Sequence, residues 1–206
     1  IQTLSPVDHQ RAELRLQKRQ LRRALTEEEQ ERAAWQLARQ LSTLPLFRGA
    51  RHLGLYVAND GEIDPGYILS MAQNQRKSCY LPRLSKLKWR PMVFAKDHPE
   101  AVYELNRFGI PEPKTSHRNT LIALELDLLL LPLVAFDTKG NRLGMGGGYY
   151  DRTLSHLNRQ KQWRRPRVIG LAHELQKVDQ LKNKSWDVTL DGIITDQHFY
   201  PASIDA

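Results

Sequence analysis

The 206 residues include a single cysteine, Cys79, which excludes an internal disulfide. Its Lys-Ser-Cys-Tyr-Leu-Pro setting reads as a small core residue in a strand. No apolar run approaches the roughly 20 residues needed to cross a bilayer, so no membrane-spanning helix is expected. The opening Ile-Gln-Thr-Leu-Ser-Pro-Val-Asp-His-Gln lacks the charged-then-apolar layout of a secretory signal. A soluble protein of a reducing cytoplasm is expected. Internal repeats, low-complexity tracts and linkers are also missing. A chain of this length with 40% hydrophobic content suffices for one sizeable core and is short for two, so residues 1–206 read as one domain. Acidic residues are the scarcer sign, 23 against 31 Lys and Arg, and the net charge of +8 asks for an anionic partner. Charge alone does not choose between nucleic acid and a nucleotide together with a polyanionic tail.

The densest information lies in residues 128–154. Leu128-Leu129-Leu130-Leu131-Pro132-Leu133-Val134 reads as a strand buried on both faces, because a half-exposed strand would alternate polar and apolar residues. The loop that follows carries Arg142 and then Gly144, Gly146, Gly147 and Gly148. Without Cβ atoms, successive N–H groups there can converge on an anion such as phosphate, or the glycines can simply make a mobile loop. The spacing is neither the dinucleotide fingerprint nor the P-loop, since no Lys-Ser/Thr follows. Tyr149-Tyr150-Asp151, with Leu154 and Leu157 at helical spacing, predict a helix whose positive end faces the same anion. Asp151 in its first turn offers hard oxygen ligands to a phosphate-bound magnesium.

Upstream, residues 9–25 predict a basic amphipathic helix, and Thr26 with Glu29 is a capping-box pair that starts a second helix to about Thr43, with Ala34, Leu37, Ala38 and Leu41 inward. The two are expected to form a helical hairpin. Arg11 and Arg15 lie four apart, on one face that either meets a polyphosphate or is merely solvated. Residues 52–57 read as strand, 58–61 as turn and 64–75 as helix, leaving Glu62 on a loop at a strand's carboxyl end, where ligands collect in open α/β sheets. Strands are expected at residues 78–81, which end in Pro82-Arg83, and at 92–94 after a basic turn; Arg83 reads as exposed or as ligand-facing. Pro111 and Pro113 impose an extended loop on residues 108–113, bordering the cleft. After a break at Arg164-Arg165-Pro166, strands are expected at residues 168–171 and, as the last, 192–195, with Asp187 on the approach to it. Strands alternating with helices give an α/β fold: a mainly parallel sheet with helices on both faces.

As a whole string, Phe136-Asp137-Thr138-Lys139-Gly140-Asn141-Arg142-Leu143-Gly144-Met145-Gly146-Gly147-Gly148-Tyr149-Tyr150-Asp151 closely resembles the signature of the 5-formyltetrahydrofolate cyclo-ligases, FD-x-x-G-x-R-L-G-x-G-x-G-Y-Y-D. The basic N-terminal helix, Gly61-Glu62-Ile63-Asp64, Leu81-Pro82-Arg83 and Trp186-Asp187 extend the resemblance over nearly the full chain. It implies ATP-dependent closure of 5-formyltetrahydrofolate, with or without a polyglutamate tail, to 5,10-methenyltetrahydrofolate, through phosphorylation of the formyl oxygen, by a monomer without nucleic-acid or membrane partners. By the same resemblance Arg142 and Tyr149 are catalytic. ATP falls to Arg11, Arg15, Arg142, Leu143, Gly144, Met145, Gly146, Gly147, Gly148, Tyr149 and Tyr150. The folate falls to Val57 and Glu62 with Met145, Gly146, Gly147, Gly148 and Tyr149, and Mg2+ to Asp151 and Asp187. A carboxylate such as Glu62 suits the guanidine-like edge of a pterin, where two N–H donors lie side by side. The family commonly has a cation at the place of Gly147 and often another at Met145, so more weight falls here on Arg142. A nucleic-acid-binding protein is the first alternative, disfavoured because no helix-turn-helix, zinc or aromatic RNA-binding signature is visible. A sugar-phosphate isomerase or CoA-transferase on the same architecture is the second, and the Arg142 loop with Tyr149-Tyr150-Asp151 discriminates against it.

Overall fold

A computed structural model of the chain describes residues 5–85, 91–115, 119–158 and 166–202. The basic turn at 86–90, the middle of the polar connection at 114–119 and the Arg164-Arg165 break lie outside the described residues. Helix α1 (Pro6–Arg23) starts where the Ser5 hydroxyl accepts the Asp8 N–H and Pro6 takes the first helical position. Helix α2 (Glu27–Thr43) starts on the expected capping box: the Thr26 hydroxyl accepts the Glu29 N–H at 3.2 Å and the Glu29 carboxylate accepts the Thr26 N–H at 2.8 Å. Its buried stripe is Ala33, Ala34, Leu37, Ala38 and Leu41. The two helices follow one another through Ala24 and Leu25, and their main packing partners differ. Helix α2 packs on α3 (Pro45–Gly49), on α4 (Gly66–Asn74) and on the sheet, whereas α1 leans on a 3-10 turn at Glu174–Gln176 and buries no apolar side chain; its one buried residue is Arg22.

The remaining elements are β1 (His52–Gly54), β2 (Ser78–Leu84), β3 (Met92–Lys96), β4 (Tyr103–Leu105), β5 (Pro111–Pro113), β6 (Thr120–Leu121), β7 (Leu128–Pro132), β8 (Ala135–Phe136), β9 (Arg142–Leu143), α5 (Tyr149–Thr153), β10 (Arg167–Ala172), β11 (Gly192–Thr195) and β12 (Phe199–Pro201). Eight strands form one sheet in the order β12-β11-β10-β7-β1-β2-β3-β6. The five from β11 to β2 are parallel, and β12, β3 and β6 join antiparallel at the two margins. β7 lies in the middle, and its unbroken leucines alternate between two cores. Leu128 and Leu130 pack with Ile169, Ile194 and the α2, α3 and α4 layer; Leu129 and Leu131 pack with Val168, Ile193, Leu154 and Leu157. Burial on both faces is why no polar residue interrupts the run. The second face is covered by short pieces: α5 is one turn, not the longer helix the Leu154 and Leu157 spacing suggests, and a 3-10 turn at Ser155–Asn158 continues it.

Other strands differ from expectation at their ends. β2 runs through Pro82 to Leu84, because β1 has stopped at the level of Tyr80 and one edge of β2 is open where proline has no N–H to give. Residues 111–113 are extended as their prolines require, yet pair with β4 as a two-stranded sheet. β11 is not the last strand, since β12 follows antiparallel to it. Arg83 is engaged within the fold: its guanidinium pairs with Glu104 at 3.1 Å, donates to the Thr115 carbonyl at 2.8 Å and lies 3.7 Å from Glu112. Among the described residues, no helix is long and apolar enough to cross a membrane.

Candidate active site

A cleft of about 740 Å3 opens beyond the carboxyl ends of β1, β2 and β7, where the parallel strands leave their loops. One wall is the loop after β1 with Val57, Asn59, Asp60 and Glu62, and the floor is Pro132 and Leu133. The glycine loop and α5 form the facing wall, and α1 closes one end with Arg11 and Arg15. The glycine loop hangs from a hairpin, β8 to β9, whose turn is organised by the buried Asp137 carboxylate. That carboxylate accepts N–H groups from Lys139 at 3.0 Å, Asn141 at 3.2 Å and Leu181 at 3.0 Å, and the Asn141 amide at 2.9 Å. Asp137 is therefore saturated by backbone and is not the partner of Arg142.

Beyond β9 the backbone turns into left-handed conformations, φ 102° at Gly146 and 64° at Gly148, which only glycine adopts without strain. Arg15 Nε donates to the Gly144 carbonyl at 2.8 Å, which lays its guanidinium beside the loop. A Cβ at Gly147 would come within 3.0 Å of the Tyr149 ring, so the bare position lets that ring lie against the backbone. Met145 is half-exposed at the cleft, and its sulfur lies 3.8 Å from Arg22 Nη2.

The charges of the cleft are arranged in pairs. Arg142, 5% exposed, donates from Nη2 to Asp151 Oδ1 at 2.6 Å, and its buried Nε finds no acceptor among the described residues. Arg11 donates to Asp187 at 2.8 Å and to the Lys182 carbonyl at 2.8 Å, while Asp187 also accepts the Lys184 N–H at 2.9 Å. Lys184 pairs with Asp8 at the rim. Desolvation and the neighbouring Arg11 lower the pKa of Arg15. The two arginine pairs each join a guanidinium suited to phosphate and a carboxylate suited to a hard cation. Among the described residues no group of three His, Cys, Asp or Glu gathers around a common point. Asp151 has one oxygen without a hydrogen-bond partner there, whereas both Asp187 oxygens face Arg11. This donor set fits an ion of the magnesium kind, which takes one or two carboxylates and completes its shell with phosphate oxygens and water.

On the opposite wall Glu62 is nearly enclosed. Burial pushes its carboxyl up to about 7, even with the Arg22 guanidinium opposing the shift and the Asn59 N–H donating to it at 3.2 Å. Asp60, in a left-handed turn at φ 57°, receives Arg19, Arg22 and Arg23, which hold it well below the usual carboxylate range despite its burial. The Tyr150 phenol is pushed upward by burial and by Glu62. Apolar surface completes the cleft. Phe108 stands edge-on to Tyr149 with ring centroids 5.8 Å apart, and Leu84, Met92, Ile110 and Trp186 line the remainder.

The structure thus brings Arg11, Arg15, Val57, Glu62, Arg142, residues 144–148, Tyr149, Tyr150, Asp151 and Asp187 to one cleft. Leu143 is the exception. Its side chain is fully buried with Ala135 and Leu181, and its carbonyl accepts the Val134 N–H at 2.7 Å. The segment around Phe108 borders the cleft as its prolines suggest. Arg22, Lys184 and Asp8 escaped the sequence reading, because nothing in a run of basic residues marks which guanidinium is swallowed by a loop that arrives some forty residues later.

An open α/β sheet with a glycine loop, paired cations and an enclosed carboxylate at its carboxyl edge defines a substrate-binding α/β enzyme. The sequence pattern of the 5-formyltetrahydrofolate cyclo-ligase family matches residues 7–196. A protein of Escherichia coli strain K12 named 5-formyltetrahydrofolate cyclo-ligase is 38% identical over 177 residues, covering 86% of this chain and 95% of that one. One of that name from Haemophilus influenzae is 39% identical over 186 residues, covering 89% and 96%. The NMR structure of Aquifex aeolicus 5,10-methenyltetrahydrofolate synthetase superposes with a TM-score of 0.78 at 27% identity, covering 94% of this chain and 93% of that one. The chain belongs to the 5-formyltetrahydrofolate cyclo-ligase family.

Proposed function

We propose that the cleft closes 5-formyltetrahydrofolate to 5,10-methenyltetrahydrofolate at the expense of ATP, which leaves as ADP and phosphate. The observation that carries the reading is the meeting of Arg11, Arg15, Arg142 and the glycine loop in one cleft with Glu62 on its far wall. One side of the cleft suits polyphosphate and the other a pterin edge. A formyl oxygen on nitrogen is a poor leaving group. Its attack on the γ-phosphorus forms an O–P bond as the bond to ADP breaks, and leaves the formyl carbon electrophilic. The neighbouring folate nitrogen then bonds to that carbon, loses its proton, and phosphate departs with the C–O electron pair. Little covalent chemistry is asked of the protein: it must hold formyl oxygen and γ-phosphate in line and balance charge.

The residues divide that work. Glu62 in its ionised form accepts the paired pterin N–H donors, and Val57, Phe108 and Tyr149 give apolar contact to the rings. The Gly144, Gly146, Gly147 and Gly148 backbone can approach phosphate closely, and Arg142, whose Nε has no other acceptor, faces the transferring group. Asp151, with Asp187 once Arg11 has turned to phosphate, would hold Mg2+. Bound there, the ion would neutralise phosphate charge. Formation of methenyltetrahydrofolate, followed spectrophotometrically with and without ATP and magnesium, tests the reading. Ring closure that does not depend on ATP, or none at all, defeats it.

A further inference from the structure

Arg22 does not line the cleft, yet it sits where three of its walls meet. It is fully buried, the only such side chain of α1. Its Nε donates to the Asp60 carbonyl at 2.8 Å, Nη2 to the Asp60 carboxylate at 2.8 Å, and Nη1 to the Leu133 carbonyl at 3.1 Å. Met145 of the glycine loop touches Nη2 through its sulfur. One planar guanidinium thus ties the loop after β1 to the end of β7 and the glycine loop. Glu62 Oε1 lies 3.7 Å from Nη2, within Coulomb range but beyond a good hydrogen bond. Arg22 therefore lends Glu62 a positive charge without a close hydrogen bond to Oε1, while Oε2 accepts the Asn59 N–H at 3.2 Å.

We propose that Arg22 is a positioning residue for the folate substrate: from behind the cleft wall it fixes the loop bearing Glu62 and supplies the charge that faces that carboxylate. The inference rests on the folate reading of the cleft given above. The other groups facing Glu62 do not replace it. Arg19, also on α1, is spent on Asp60, as is Arg23, and Asp60 itself is negative. Tyr56, whose hydroxyl donates to the Ile63 carbonyl, and Tyr150 of α5 are neutral phenols. Removing Arg22 leaves an enclosed carboxylate without its nearest cation, which raises its pKa by about one to three units.

The test measures KM for 5-formyltetrahydrofolate and for ATP from pH 6 to 9.5 in wild type, Arg22→Met, Arg22→Lys, Glu62→Gln and the Arg22→Met/Glu62→Gln double variant, with melting temperatures alongside. In Arg22→Met the pH below which the folate KM climbs should move up by about one unit or more. At pH 7 its folate KM should rise roughly tenfold and recover in alkali, while the ATP KM changes by less than about twofold. The double variant should show no pH dependence beyond that of Glu62→Gln. Arg22→Lys keeps the charge but not the fork, so its pH profile should stay in place with a higher folate KM throughout. Should Arg22→Met fail to fold, the lysine variant decides, and a wild-type folate KM in it overturns the proposal. An equal rise of both KM values with no displacement in pH, or a lower melting temperature alone, makes Arg22 a structural clamp and also overturns it. Wild type without ATP-dependent ring closure fails the functional reading itself, whereas an active wild type beside an unshifted Arg22→Met profile fails this inference alone.

Discussion

At the scale of single residues, both phosphate-suited arginines of the pairs are neutralised by the carboxylates suited to metal: Arg142 holds Asp151 at 2.6 Å and Arg11 holds Asp187 at 2.8 Å. On the function proposed above, arrival of Mg-ATP would amount to an exchange of partners, cation to carboxylate and phosphate to guanidinium. Asp151→Asn should weaken magnesium-supported ATP binding while leaving metal-free ATP affinity equal or better, because Arg142 is released. Calorimetric titration with and without magnesium checks this, and an equal magnesium dependence in wild type and variant removes Asp151 from the metal. Arg142→Ala should lower turnover by roughly a hundredfold or more, with a smaller effect on ATP affinity, if its charge matters most as phosphoryl moves. Since the hairpin turn is held by Asp137, loss of Arg142 leaves that turn intact, and unchanged turnover at saturating substrates would strike it from the catalytic residues. Glu62→Gln should raise the folate KM roughly tenfold or more and spare that of ATP, a lost charge-assisted pair being worth about 1.5–3 kcal/mol. The sign with pH follows from its environment. A carboxyl pushed up to about 7 is ionised above that pH, so on the proposed reading folate affinity should fade as pH falls through it, which the folate KM measured across pH checks.

At the scale of elements, the hairpin from β8 to β9 carries the signature loop, and its geometry depends on Gly140. With φ at 84°, and with a Cβ there placed 2.7 Å from the Leu190 carbonyl oxygen and 2.8 Å from Ala202 Cβ, only glycine fits. Gly140→Ala should cost on the order of 1–3 kcal/mol for the backbone alone, before the clash, and lower Tm by roughly 5 °C or more. Thermal denaturation measures it, and an unchanged Tm refutes the packing argument. Such dependence explains what could be read from the chain beforehand. The leucine run of β7 and the Thr26 and Glu29 box were legible because local periodicity and capping decide them. β12, β6 and the β4 to β5 pair were not, being two or three residues long, too short for alternation to show. The one-turn α5 was overread, since Leu154 and Leu157 reach the same core through a 3-10 turn as they would from a helix. The glycine loop and Glu62 could be placed on their loops, and Asp151 in the first turn of its helix, from sequence alone. The fate of Arg22 could not, for Asp60 receives Arg19, Arg22 and Arg23 alike, and what sets Arg22 apart is its burial and its bond to the Leu133 carbonyl.

At the scale of the whole molecule, the attachment of α1 sets it apart from every other long element. Most of its partners are polar: Asp8 meets Lys184, Arg11 meets Asp187 and the Lys182 carbonyl, Arg15 meets the Gly144 carbonyl, and Lys18 Nζ donates to the Leu175 and Lys177 carbonyls at 2.7 and 2.9 Å, while the partly buried Leu14 packs on Ala135, Leu143 and Leu181. Only at its C-terminal end is it anchored by a buried side chain, Arg22. The partly exposed pair of Asp8 with Lys184 contributes about 0–1 kcal/mol and is screened by salt, and the more enclosed pair of Arg11 with Asp187 is screened less, whereas the α2 stripe of Ala34, Leu37, Ala38 and Leu41 rests on burial that salt does not weaken. The first half of α1 should therefore open more readily than α2, pivoting on Arg22, and should be the part that admits substrate. Hydrogen exchange resolved along the chain is the measurement: amides of residues 9–18 should exchange faster than those of α2, and faster still in 1 M salt than at low ionic strength. Mg-ATP, by giving Arg11 and Arg15 a shared anionic partner, should slow exchange in this half while leaving α2 unchanged. Protection of α1 equal to that of α2 without nucleotide, and indifferent to salt, would show that these polar contacts form a rigid wall, and that the cleft opens elsewhere.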